Sequence, residues 1–190
     1  MPYLVAPTVP VGSLCSTDQP VLSAGADLLL RPWRDSDAPA VMRAYQDPAI
    51  QHWHVRRADS VAEALGWIEA WRAGWATETE ASWAVVADSG ELLGRAALKH
   101  LTFTDGSADV AYWTVPEARG RGVAARSVSA MASWALGEAG FHRLDLAHAV
   151  GNVASCRVAA KTGFEPEGIQ RSAWLQTDGR VDVHLHARVA

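Results

Sequence analysis

The chain has 190 residues, 49% apolar and 20% charged, with 17 Lys and Arg against 21 Asp and Glu for a net charge of −4. Such a length and balance bound one soluble domain with a proper core. The acidic excess argues against a nucleic-acid binder, which needs a basic face. No apolar run approaches the ~20 residues of a membrane span. Two cysteines, Cys15 and Cys156, are too few for a disulfide framework and fit a reducing, cytoplasmic setting.

In chain order, residues 1–25 show no helical or strand period and carry prolines at positions 2, 7, 10 and 20. They are expected to form a loosely ordered extension ahead of a single domain over 26–190. No Lys or Arg precedes Arg31, so a secretory signal is not expected. Leu28 to Trp33 reads as a strand, and Asp35 to Asp37 as the cap of a helix ending near Gln46, with Pro48 as its stop. Gln51 to Val55 reads as a polar, aromatic loop. Ser60-x-x-Glu63 is a capping box for the next helix, with Leu65, Ile68 and Trp75 in its stripe. Ser82–Asp88 and Leu92–His100 pair as a hairpin. Val153–Lys161 is a short helix closed by Gly163, and 165–171 with 180–188 make a β-ribbon. Nine tryptophans are many for this length; packing is their default role.

The chemistry concentrates between Asp109 and Phe164. Asp109 to Val115 is β-branched and aromatic, hence a strand. Ala124 to Gly137 carries Val128, Met131, Ala132 and Ala135 on one helical face. Arg119-Gly120-Arg121-Gly122-Val123-Ala124 lies between them. Strand, glycine turn and helix hold an anion, because unpaired N–H groups and the helix dipole point at it. Arg119 and Arg121 add charge. The next strand, Arg143–Ala149, makes the unit a parallel crossover. A pyrophosphate is the expected ligand. Gly120-x-Gly122-x-x-Ala125, with Asp145 twenty residues on, also satisfies a relaxed dinucleotide pattern and so an NAD(P)-dependent oxidoreductase. Against that, Pro116 to Arg119 separate the glycines from the strand.

Arg119-x-x-Gly122-x-Ala124 resembles the acyl-CoA pyrophosphate motif of the GNAT N-acetyltransferases. Asn152-Val-Ala-Ser155 followed by Lys161-Thr-Gly163-Phe164, and the opening Leu30-Arg-Pro-Trp-Arg-Asp-Ser-Asp37, are similar to the RimJ and RimL branch that acetylates ribosomal-protein N-termini. The resemblance spans Asp27 to the C-terminus. It implies a single mixed α/β domain whose twisted sheet is mostly antiparallel, with one parallel crossover at the cofactor. It also implies acetyl-CoA as cofactor and a primary amine as acceptor, attacked directly in a ternary complex, and a possible homodimer.

The same resemblance implies site residues. Backbone groups of Trp113, Thr114 and Val115 would pair with the pantetheine arm, while Arg119 to Ala124 hold the pyrophosphate. Asn152 would bond the arm, and Ser155 would protonate the leaving thiolate. Many relatives place a tyrosine for that task where this chain has Ala159, which leaves a non-catalytic acyl-CoA-binding protein as a further reading. For the general base, Asp109 is the first candidate, with His100, His54 and Asp182 behind it. His52-x-His54 and His184-x-His186 suggest metal ligands, but no neighbouring residue completes either set in sequence, so no metal is expected. Arg157 and Lys161 share a helical face, solvated or near a 3′-phosphate. The identity of the amine is not written in these motifs.

Overall fold

The structure, a computed structural model, describes residues 4–190. The elements run β1 (Leu22–Ser23), β2 (Leu28–Arg31), α1 (Ala38–Ala44), α2 (Pro48–His54), α3 (Val61–Ala76), β3 (Glu80–Ala87) and β4 (Leu92–Thr102). They continue with β5 (Ser107–Thr114), α4 (Val123–Leu136), β6 (Arg143–Ala149), α5 (Val153–Lys161), β7 (Glu165–Gln176) and β8 (Gly179–Val189). The strands form one eight-stranded sheet ordered β1-β2-β3-β4-β5-β6-β8-β7. All neighbours are antiparallel except β5 and β6. The mixed α/β fold expected from the sequence is the one observed.

Strand alternation builds a core on each face. Leu28, Leu30, Trp83 and Val85 join Val128 and Met131 of α4 on one side. Ala84, Val86 and Trp113 join Val41 of α1 and Ile68 and Trp71 of α3 on the other. Most of the tryptophans serve as packing: Trp83 meets Trp134 edge-on at 5.3 Å, and Trp33 lies 4.8 Å from Trp71.

Two local expectations change. Pro48 does not stop a helix but opens α2, where its missing N–H costs nothing. Asp47 caps that helix, accepting from the Ile50 amide at 2.9 Å. The supposed loop at 51–55 is therefore helical up to a left-handed Val55. The N-terminal segment also differs from expectation. Residues 1–3 lie outside the described part, but Val9 and Leu14 are buried in the core. Val9 bonds the Phe103 carbonyl at 3.0 Å, and the indoles of Trp75 and Trp83 donate to the Thr17 and Pro20 carbonyls. Tryptophan N–H groups recruited this strap, a cause that no periodicity in residues 4–25 announces.

Glu78 anchors the strap. Its carboxylate accepts from the amides of Gly12 at 2.6 Å, Leu14 at 2.9 Å and Cys15 at 3.2 Å. Partial burial would raise its pKa, but these three donors outweigh that and hold it below the ordinary value. A depressed carboxylate stabilises the fold above its unfolded pKa, and the contribution fades as pH falls through the folded value. Glu78→Gln is expected to lower stability at neutral pH by about 1–2 kcal/mol, the scale of charge-assisted bonds that are partly exposed. Its melting temperature should converge on the wild type's in acid. Parallel thermal melts across pH check this.

The parallel contact is short. β5 and β6 pair only at Ser107↔Arg143, Ala108↔Leu144 and Asp109↔Asp145. Beyond that, β6 stays on β8 through all of its residues from Arg143 to Ala149, while β5 follows β4 up to Thr114. The two strands therefore splay. Gly94 is required opposite the splay, since a Cβ there would stand 2.3 Å from the Trp113 carbonyl.

Candidate active site

The wedge between β5 and β6 opens into a cavity of about 780 Å³, a size suited to a cofactor-scale ligand. One end is the glycine turn. Gly120 and Gly122 have φ of +75° and +74°, conformations that cost L-residues energy and glycine little. A Cβ at either would meet nothing within 4 Å, so their requirement is conformational rather than one of close approach. Gly122 caps α4. The Arg126 amide, bonded to the Gly122 carbonyl at 3.0 Å, begins the helical ladder. The amides of Val123, Ala124 and Ala125 therefore precede any i−4 partner and form an anion nest.

The cavity wall includes Trp113, Thr114, Arg119, Gly120, Gly122, Val123, Ala124, Asn152 and Ser155. Two expected cofactor residues are not on it. The Val115 amide is bonded to the Leu93 carbonyl at 2.9 Å and its carbonyl accepts from the Ala118 amide at 3.1 Å, so its N–H is not free for a ligand. Arg121 is exposed and off the wall. Arg119 is on the wall, but its guanidinium pairs with Asp47 and its Nε donates to the Thr114 carbonyl at 3.3 Å. It thus ties the glycine turn to α2.

Asn152 caps α5: its Oδ1 accepts from the Ser155 amide at 3.0 Å. Its amide nitrogen remains available to a ligand. Ser155 is buried, and its hydroxyl lies 2.6 Å from the hydroxyl of Tyr112 on β5. Burial pushes the Tyr112 phenol up to about 12, against the opposing Ser155 hydrogen bond. It therefore stays protonated, a hydrogen-bond donor, at every working pH. Tyr112 is a residue of the cavity wall that the sequence motifs do not single out. Ala159 is fully buried in the core, and the phenol on the wall comes instead from Tyr112 of β5. The available signal was alternation: Val110, Tyr112 and Thr114 fall on alternate positions of the strand beside the glycine turn.

Asp109 is displaced as a base. It sits at the paired, closed end of β5, exposed, with its carboxylate 2.8 Å from His100 Nδ1 and off the cavity wall. Asp182 is spent on the Ser172 amide at 2.8 Å. His54, from α2, does reach the wall. Burial first, then the positive Arg95, lowers its pKa to about 4, against a hydrogen bond to the Tyr112 carbonyl. His54 is thus neutral across the working range. Because the folded state binds fewer protons there, its stability contribution is lost as pH falls from 6.5 toward 4. The kcat profile is expected to lack a limb near pH 6.5, and an initial-rate series from pH 5 to 9 with saturating substrates checks it.

Arg157 and Lys161 line the mouth while remaining exposed. Asp145 is engaged by Arg143 at 2.6 Å and does not line the cavity, so it does not stand where the dinucleotide reading needs a ribose acid. Among the described residues, no helix is long and apolar enough to cross a membrane.

The model of the acetyltransferase (GNAT) domain matches residues 27–165. The chain belongs to the GNAT acetyltransferase family. As a GNAT enzyme, it takes acetyl-CoA as its cofactor. It is similar to the uncharacterized N-acetyltransferase YoaA of Bacillus subtilis, 25% identical over 164 residues, which are 85% of this chain and 93% of that one. RimJ of Mycobacterium smegmatis, solved in complex with CoA-disulfide, superposes with a TM-score of 0.80 and 24% identity, over 91% of this chain and 88% of that one. RimL, a ribosomal L7/L12 α-N-protein acetyltransferase solved with coenzyme A, gives 0.81 and 19%, over 90% and 98%.

Proposed function

We propose that this GNAT enzyme moves the acetyl group of acetyl-CoA onto a primary amine, with a protein N-terminus as the leading acceptor, by direct attack in a ternary complex. The observation that carries the reading is the Tyr112–Ser155 hydroxyl pair, 2.6 Å apart on the wall of the wedge. The pyrophosphate rests on the amides that begin α4, the pantetheine arm lies along the free edge of β5 with Asn152, and Arg157 and Lys161 meet the 3′-phosphate. The thioester then reaches the hydroxyl pair.

The amine nitrogen attacks the carbonyl carbon, the C–N bond forms and the C–S bond breaks. The thiolate accepts a hydrogen bond from the Tyr112–Ser155 pair. A phenol held near 12 does not hand its proton outright to a thiolate of pKa about 8.5. Its contribution is stabilisation of the leaving charge, with solvent completing the transfer. The amine's proton passes to water, since an imidazole lowered to about 4 is too weak a base to hold it. Cys156 does not line the cavity, and no covalent enzyme intermediate is needed.

RimL's own acceptor, the N-terminus of a ribosomal protein, makes peptide N-termini the first class to assay. A cytoplasmic homodimer is the setting in which we place the enzyme. The test is free-thiol release from acetyl-CoA with peptides bearing Ser or Ala at the N-terminus, beside polyamines and aminoglycosides. Turnover with peptides alone supports the reading. Turnover with polyamines or aminoglycosides alone moves it to a small-molecule acceptor. Silence for every amine overturns it.

A further inference from the structure

One residue along α5 from Ser155, four side chains from three elements converge. His148 of β6, Cys156 of α5, and His184 and His186 of β8 each offer one ligand atom, and these atoms all lie within 4.8 Å of one another. Sequence alone left His184-x-His186 without completing ligands, and the fold supplies them. On the antiparallel pair, His148 stands opposite His184 and Leu146 opposite His186. The two-residue period then turns His184 and His186 to the face that carries His148, and α5 covers that face with Cys156. His148 lies 5.3 Å from His184 and 5.2 Å from His186 between ring centroids.

The hydrogen bonds orient the cluster for coordination. His148 Nδ1 lies 2.9 Å from the Ala149 carbonyl, which can only accept, so Nδ1 carries the proton. In the neutral ring, Nε2 is then a bare lone pair. It points at His186 Nε2, 3.2 Å away. Two nitrogens about 2.0–2.1 Å from one ion at the tetrahedral angle stand about 3.3 Å apart, so this edge already has the right length. Outer carbonyl bonds of the kind His148 makes are what fix a ligating imidazole's tautomer. The Phe164 carbonyl lies beside the His186 ring without good hydrogen-bond geometry. His184 Nδ1 is shielded from solvent with no partner.

We propose that His148, Cys156, His184 and His186 form a transition-metal site of three imidazoles and one thiolate, suited to Zn²⁺. The thiolate and imidazoles select a borderline-soft ion over Mg²⁺ or Ca²⁺. Four protein ligands leave no open position, the hallmark of a structural rather than catalytic centre. The ion clamps α5 onto β6 and β8 and thereby sets where Ser155 and Asn152 stand.

The test is titration of chelator-stripped full-length protein with Co²⁺, then Zn²⁺. Expected are about one equivalent of Co²⁺ with tetrahedral visible bands and a thiolate charge-transfer band, displacement by Zn²⁺, and release of about one proton from Cys156. Melting temperature should rise with Zn²⁺. Cys156→Ser should erase the charge-transfer band. His184→Gln should weaken Co²⁺ binding by at least about 100-fold, since losing an outer-shell partner alone costs about 10–100-fold. Absence of the charge-transfer band in the stripped wild type overturns the proposal without reference to any variant. So does equal Co²⁺ affinity in the Cys156→Ser/His184→Gln double variant, which places the ion elsewhere.

Discussion

Replacing Gly122 with aspartate is expected to weaken acetyl-CoA binding by at least about 100-fold. The new carboxylate stands at the amides that begin α4, facing a pyrophosphate, and like charges placed in contact cost several kcal/mol. At about 1.4 kcal/mol per tenfold, about 3 kcal/mol suffices. Steric damage is not the cause, because a Cβ at this position meets nothing within 4 Å. Gly122→Ala separates the two effects. It carries the left-handed backbone cost of about 1–2 kcal/mol in stability but no charge, so it should retain acetyl-CoA within about tenfold. Calorimetric titration of both variants with acetyl-CoA decides it. Unchanged affinity in the aspartate variant removes the pyrophosphate from this turn.

Removing the phenol is the second large effect. Tyr112→Phe deletes the hydroxyl 2.6 Å from Ser155 and leaves the ring's packing in place. Loss of a preorganised hydrogen-bond donor to a developing charge costs about 10²–10³-fold in kcat, so kcat should fall by that order while KM for acetyl-CoA stays within a few-fold. Ser155→Ala should fall less if the phenol alone meets the thiolate, and equally if the pair acts as one unit. A double variant no slower than either single variant would show the unit. Steady-state rates with acetyl-CoA and the best amine check all three. Full activity in Tyr112→Phe would leave the leaving group to solvent.

Much of the fold was legible because its signals are local. Ser60 does accept from the Glu63 amide at 3.1 Å, although Glu63 returns its bond to Asp59 rather than to Ser60. The apolar stripe Val128, Met131, Ala132 and Ala135 is the buried face of α4. The order strand, glycine turn, helix, strand appears as β5, α4 and β6. Asn152 and Ser155 reached the wall because their spacing within one short helix fixes their relation. What failed to show depends on distance in sequence. Tyr112 and Ser155 meet across 43 positions, and His148 and His186 across 38, so no window contains either pair. Asp109 lies at a strand start in sequence, but the parallel register places that start at the paired end of the wedge. Pro48 was ambiguous, since the same ring that ends one helix begins another.

The splay has a consequence for how long the protein survives. Where β5 parts from β6 their pairing ends after three rungs, and on the proposed reading a pantetheine arm would pair with the β5 edge from outside the chain. Binding of acetyl-CoA there would add to the stability of the folded state. Mass action sets the gain: about 2.7 kcal/mol when acetyl-CoA stands at 100 times its Kd. Scarcity of the metabolite would expose an unpaired backbone edge, the feature that invites self-association. Metabolic state would thus be written into the lifetime of the enzyme as well as its rate, with thermal inactivation slowing as acetyl-CoA rises.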